Sequence, residues 1–153
     1  MANTFTQIHI QSVFAVKYRA ALIHKLWKED LHKYITGIIQ NNNHKLLSIN
    51  SMPDHIHVFF GFSPTQSLAD LMRMIKSDSS EWINKNNLSN SPFYWQEGYG
   101  AFSYSRSHIK AVCTYIENQE VHHRKQTFLE KYEEMLQKFE IEYDEKYIFK
   151  LPE

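Results

Sequence analysis

Hydrophobic residues change their period several times along the chain, and each change marks an element. Residues 5–16, FTQIHIQSVFAV, are rich in β-branched and aromatic types with partial alternation, which predicts a strand. Over residues 21–41, Leu22, Leu26, Leu31, Tyr34, Ile35, Ile38 and Ile39 fall at helical spacing, and the asparagines at 41–43 break that helix. HKLLSIN and HIHVFFGF follow as two strand-like runs, joined by Ser51-Met52-Pro53-Asp54, a tight turn signal. From Ser67 to about Lys85, the positions of Leu68, Leu71, Met72, Ile75 and Trp82 are again helical. NNLSNSP is a polar loop and YGAFSYS a short last strand. Ser107 is placed to N-cap a helix running to about Arg124, and a second helical stretch spans about 126–138 before an acidic tail ending IEYDEKYIF.

Strand, helix, strand, strand, helix, strand is the ferredoxin-like βαββαβ order, an α+β class, here with a C-terminal helical extension. No repeat, low-complexity tract or linker interrupts it, so residues 1–153 are expected to form one domain.

Composition narrows the class of protein. With 42% hydrophobic and 14% aromatic residues, and only four glycines and four prolines, the chain is too rich in core formers to be disordered. No apolar run reaches membrane-spanning length, and MANTFTQIHI lacks the basic-then-apolar pattern of a signal peptide. Cys113 is the single cysteine, which excludes an internal disulfide and a CxxC zinc site, and the cytoplasm is the expected compartment. Lys+Arg and Asp+Glu balance at 17 each, which argues against a general nucleic-acid coater but allows one basic face. Lys17, Arg19, Lys25 and Lys28 cluster early, whereas acids gather between Glu130 and Glu145.

Two constellations carry candidate chemistry. His55 and His57 lie two apart on a predicted strand, so both imidazoles project from one face, a natural start for a divalent metal site. A pair of surface histidines on an amphipathic strand would read the same way. On the helix after the last strand, Tyr115 and Gln119 are one turn apart and share a face. Were that face to lie over the histidine strand, Gln119 would offer a third, neutral oxygen ligand beside Tyr115. On spacing alone, an amphipathic helix whose tyrosine and glutamine merely flank a buried stripe is the favoured reading. Phe93, Tyr94, Trp95, Tyr99, Phe102 and Tyr104 can stack on unpaired bases, although a small sheet needs most of them as core.

MPDHIHVFF, WQEGYGAFSYS and YIENQEVHHRKQTFLEKY, in this order and at these separations, resemble the TnpA-type single-tyrosine HUH transposases of small insertion sequences that move as single strands, REP-associated relatives included. The resemblance runs from VKYR near the first strand to IEYDEKYIF. It implies that His55, His57 and Gln119 bind a divalent metal ion, Mg2+ or Mn2+, and that Tyr115 is the catalytic nucleophile, carried on the helical extension. It implies cleavage and rejoining of single-stranded DNA beside imperfect hairpins, through a 5′-phosphotyrosine. It also implies a homodimer and favours Tyr115 and Gln119 of one subunit serving His55 and His57 of the other, although the short Ser105-Arg106-Ser107 junction equally allows the helix to dock over its own sheet. Lys17, Arg19 and Arg106 are candidate DNA contacts. Asp54 matches the PDH step of the family but reads equally as a turn aspartate, and His122 and His123 are expected to be solvated rather than ligands.

Three rivals remain. A domesticated relative would bind or cut host hairpin repeats; a regulator would bind hairpins without cleaving, against which the intact Tyr115, His55, His57 and Gln119 set argues. A hydrolytic metalloenzyme built on HxH is disfavoured, because Val58-Phe59-Phe60 follows where the metallo-β-lactamase pattern requires Asp-His, and paired H-x-S/T motifs are absent.

Overall fold

Val13, Phe14 and Ala15 in one strand and Ile56, Val58, Phe59 and Phe60 in another are wholly buried, whichever way their side chains point. Burial on both faces of a strand requires that it lie inside a sheet with a layer on either side, and that explains why alternation in these stretches is only partial. In the computed structural model, which describes residues 5–119 and 128–140, they are the two central strands of a four-stranded antiparallel sheet.

The elements are β1 (His9–Ala15), α1 (Lys28–Asn41), β2 (Lys45–Met52), β3 (His55–Gly61), α2 (Leu68–Lys85), β4 (Gly100–Tyr104), α3 (Ile109–Glu117) and α4 (Phe128–Lys138), with short 3-10 turns at Lys17–Arg19 and Arg106–His108. The sheet order β2-β3-β1-β4 is that of the ferredoxin-like arrangement expected from the sequence. On one face Ile10, Phe14, Ile56, Val58 and Phe60 pack under Leu31, Ile35 and Ile39 of α1 and Leu71, Met72 and Ile75 of α2. Ser67 caps α2 by accepting from the Asp70 N–H at 3.0 Å. The opposite face is covered by the helical extension: Val112 and Ile116 of α3 pack on Phe59, and Tyr132, Met135 and Leu136 of α4 pack on Val13, Ala15 and Phe102. Edge strand β2 shifts register between Leu46 and Ser48, a bulge that adds Leu47 to the layer beneath α3.

Several expected boundaries move. The first helix starts at Lys28 rather than 21, because Ile23 is drawn away to donate its N–H to the Pro53 carbonyl at 2.9 Å, and Leu26 is 87% exposed and off the core stripe. The first strand shortens to His9–Ala15, with Val16 paired to Trp95 in an isolated bridge. Ser107 is not the cap of α3: it lies within the 3-10 turn, near Ser105 Oγ and His108 Nδ1, and His108 occupies the N-cap without a side-chain bond. That helix closes at Glu117, with Asn118 as its C-cap, where the sequence predicted continuation to about Arg124. Arg124, His122, His123 and the acidic tail lie outside the described residues. Asn41 is the last residue of α1 and Asn43 takes φ 67°, as the asparagine run predicts.

Two predictions follow from the packing. A Cβ at Gly100 would stand 2.6 Å from the Tyr132 hydroxyl and 2.8 Å from its ring, so β4 admits α4 only because this residue has no side chain. Gly100→Ala should therefore destabilise the fold by about 1–3 kcal/mol through overpacking, read as a lower urea midpoint, and Tyr132→Leu in the same chain should restore most of it. Burial lowers the His32 imidazole from 6.5 to about 4, against the raising influence of Glu29. The unfolded chain then binds a proton that the fold refuses, so stability present above about pH 6.5 is lost as the pH falls through about 4. His32→Gln, which can still bond Ser51 Oγ, should make the denaturation midpoint fall less steeply over that interval.

Candidate active site

On β3, His55, His57 and Phe59 point to the face that α3 covers, opposite Ala15, Val13 and Gln11 of β1. His55 and His57 are 0% and 2% exposed, which excludes a solvated surface pair. A buried imidazole must have its polar atoms partnered, and each of these does. His57 Nδ1 lies 2.8 Å from Gln11 Oε1, and the Gln11 amide donates in turn to the Tyr104 hydroxyl at 3.1 Å. His55 Nδ1 lies 2.7 Å from Asp54 Oδ1, whose other oxygen accepts from Arg19 at 3.3 and 3.4 Å. With Nδ1–H donated in both rings, each Nε2 keeps its lone pair, the tautomer a metal ligand needs. The ring centres are 5.3 Å apart.

Burial pushes the His55 imidazole below its ordinary value, more strongly than the Asp54 carboxylate raises it. For Asp54, burial acts upward but is outweighed by the bonds and charge of His55 and Arg19, which hold the carboxyl below the usual range. We therefore read a neutral His55 donating to an ionised Asp54, with the Arg19 guanidinium as its counter-charge.

Helix α3 and the residues just past its C-cap bring the other candidates to the same place. Tyr115 stands with its ring centre 6.1 Å from that of His57, edge to face. The Gln119 side chain is wholly buried there, within reach of His55 and the Tyr115 hydroxyl, and its Nε2 donates weakly to the Tyr115 carbonyl at 3.4 Å. Asn50, opposite His57 on β2, donates to the Ile116 carbonyl at 2.9 Å and more weakly to that of Glu117 at 3.5 Å, supplying partners to the open C-terminal end of α3. All four candidates thus meet within one chain. Among the described residues no cluster of three histidine, cysteine or carboxylate donors exists. A cation here would rest on two imidazoles and an amide, a neutral set that fits a divalent ion meeting an anionic substrate.

Burial pushes the Tyr115 hydroxyl up to about 12, with Gln119 acting downward and Tyr104 and Glu134 adding to the rise. Beside it a cavity of about 230 Å³ is lined by Gln11, Tyr104, His108, Tyr115, Lys131 and Glu134, and the Lys131 ammonium stands 5.3 Å from the Tyr115 ring centre. Of the proposed DNA contacts, Lys17 and Arg106 are exposed at the surface, whereas the Arg19 side chain is only 12% exposed and engaged with Asp54.

Sequence reading left Gln11 and Asn50 unremarked and Asp54 undecided. The available signal was a polar residue at an inward strand position, as Gln11 is beside Val13 and Ala15. Of the six aromatics weighed for stacking, Phe93, Trp95 and Phe102 are buried, Tyr99 and Tyr104 are half-buried against the core, and Tyr94 is 58% exposed.

Tyr115 on α3 and Gln119 just past its C-cap, set over paired histidines of a four-stranded antiparallel sheet, form the arrangement that the resemblance to HUH transposases implies. Comparison with known proteins agrees. Residues 4–119 match the family model described as "Transposase IS200 like", and the chain belongs to that family and is a transposase. The ISDra2 transposase TnpA of Deinococcus radiodurans is 22% identical over 118 residues, covering 74% of this chain and 84% of the relative. Among solved structures, a protein from Deinococcus radiodurans R1 assigned as a transposase superposes with a TM-score of 0.61 at 20% identity, covering 78% of this chain and 95% of that one. A REP-associated tyrosine transposase bound to a REP hairpin superposes with a TM-score of 0.60 at 12% identity, over 80% and 73% of the two chains. The family match ends at Gln119, so residues 120–153 lie outside it. Among the described residues no helix is long and apolar enough to cross a membrane.

If Asn50 fastens the end of α3 over the histidines, Asn50→Leu should cost about 1–2 kcal/mol locally by leaving those carbonyls without a donor. Amide hydrogen exchange should then quicken across residues 113–119 while the α1 and α2 amides stay protected, and uniform quickening would contradict this role.

Proposed function

We propose that this transposase cuts and rejoins single-stranded DNA beside imperfect hairpins, with Tyr115 as nucleophile and His55, His57 and Gln119 as metal ligands. The observation that carries this reading is the convergence of Tyr115, its ring centre 6.1 Å from that of His57, with buried His55 and Gln119 in one site. The solved relative that holds a REP hairpin supports the choice of DNA. We take residues 1–153 to act as one unit.

In the proposed reaction the Tyr115 oxygen attacks the scissile phosphorus, the bond to the 3′ oxygen breaks, and that oxygen leaves as a 3′ hydroxyl after gaining a proton. The 5′ phosphate remains esterified to Tyr115. A second 3′ hydroxyl then attacks the same phosphorus and frees the phenol, so the strand is resealed without an external energy source. Bound by this set, Mg2+ or Mn2+ would supply positive charge to the phosphate and to the tyrosine oxygen. The protein residues set the geometry. Gln11 and Asp54 fix the tautomers of His57 and His55, Asn50 holds the end of α3, and Gln119 donates or accepts beside Tyr115 according to its protonation. Because burial lifts the phenol to about 12, Tyr115 is a poor nucleophile at neutral pH until a cation compensates. That gives the reaction a built-in dependence on a loaded site.

Assembly within one chain is supported by the bonds from Asn50 to α3, although the family resemblance implies a homodimer. Tyr115→Phe should abolish the covalent protein–DNA adduct on denaturing gels of labelled single strands, yet leave hairpin binding nearly intact. His57→Ala, His55→Ala and chelation should each remove cutting, and double-stranded DNA should be a poor substrate. Adduct formation by the phenylalanine variant would refute the assignment of Tyr115. Mixing Tyr115→Phe and His57→Ala chains under subunit exchange should restore nothing if each site is built within one chain. Recovery of up to about half of the mixed dimers' activity would instead mean that tyrosine helices are exchanged between subunits.

A further inference from the structure

At the His55 end of the sheet stands a cluster that the proposed chemistry does not use. The Lys17 ammonium lies 5.5 Å from the ring centre of Tyr18 and 5.9 Å from that of Tyr94. The two rings are 43% and 58% exposed, whereas Phe93 and Trp95 on either side of Tyr94 are buried. The arrangement is fastened from below. Lys17 donates its N–H to the Tyr94 carbonyl at 2.9 Å, and Val16 donates its own to the Asp54 carbonyl at 2.9 Å. Tyr18 and Arg19 both adopt positive φ, 60° and 53°, a left-handed conformation unfavourable for such side chains and retained only where surroundings impose it. Here the Arg19 bond to Asp54 does so, and Asp54 is the carboxylate that orients His55. A strained turn thus holds an exposed ring and a cation beside the candidate active site.

Tyr94 also forms one wall of a hollow of about 420 Å³, whose other walls include Asn87, Ser89, Asn90, Ser91 and Asn84, the last with its amide engaged by the Phe93 backbone. Aromatic faces with a neighbouring ammonium suit stacked bases and their phosphates, and amides and hydroxyls suit the hydrogen-bonding edge of an unpaired base. A duplex offers neither, since its bases are stacked and paired.

We propose that Lys17, Tyr18 and Tyr94 form a platform on which unpaired bases of the DNA strand stack as it enters the His55–His57 site, with the asparagine-lined hollow receiving one base edge. This rests on the reading that single-stranded DNA is the substrate. The platform would hold the strand in place, and its residues touch no reacting atom.

Binding can be measured apart from cleavage, in Tyr115→Phe protein without divalent ions, by fluorescence anisotropy of an oligothymidylate of about fifteen nucleotides. Tyr94→Leu should weaken binding about tenfold or more, since base–aromatic stacking is lost while apolar bulk remains, and Tyr94→Phe should bind like the parent. Lys17→Gln should reduce the salt slope by about 0.7. Affinity for a duplex of equal length should not respond to Tyr94→Leu. An oligonucleotide carrying 5-iododeoxyuridine should photocross-link to Tyr94 or Tyr18, located by mass spectrometry of the full chain. Equal affinity of parent and Tyr94→Leu, or cross-links confined to other residues, would overturn the platform even if wild-type protein still forms its covalent adduct. Loss of the adduct with platform binding intact would instead remove only the cleavage mechanism.

Discussion

Two imidazoles inside a sheet that is covered on both faces constrain everything around them. A buried polar ring without partners costs on the order of a few kcal/mol, so β3 can carry His55 and His57 only if neighbouring elements supply acceptors. The turn supplies Asp54 and β1 supplies Gln11, each in a strand register that leaves no alternative face. Their other commitments then spread outward, from Gln11 to Tyr104 on β4 and from Asp54 to Arg19 at the end of β1. Three strands and a turn are thereby tied to the orientation of two side chains.

The electrostatic character of the site follows from the same arrangement. Burial holds the His55 imidazole below its ordinary pKa, a donor set of two imidazoles and an amide carries no charge of its own, and the Asp54 carboxylate is matched by Arg19. An incoming cation would keep its full charge for whatever anion it meets, rather than having it cancelled by ligands. The high resting pKa of Tyr115 belongs to this logic, because a protonated phenol does not carry a negative charge against an approaching phosphate.

Much of this was legible in the chain. Order of elements, the hairpin turn at Pro53-Asp54 and the pairing of His55 with His57 follow from local pattern, which records period and turn chemistry well. What pattern could not express was contact between elements distant in sequence. Gln11 and His57 are 46 residues apart, and Asn50 and Ile116 are 66 apart. Nothing local distinguishes such a glutamine or asparagine from a solvated one. Leu22 and Leu26 misled for the converse reason: their spacing is helical, but the chain before Lys28 is governed by a hydrogen bond from Ile23 to Pro53. The spacing of Tyr115 and Gln119 correctly placed both on one side, yet the helix closes at Glu117, so Gln119 reaches the site from beyond its C-cap.

The bulge at Leu47 has a bearing on how the molecule meets its own copies. Strand β2 is an outer strand, and a flat outer strand presents a row of open donors and acceptors on which another chain can template itself. An extra residue there interrupts the ladder and increases local twist, which disfavours continuation of the sheet by a second one along that side. With central strands as apolar as these, such a continuation would be a route to fibrous aggregation. The irregularity that delivers Leu47 to the underside of α3 thus also blunts the margin of the sheet.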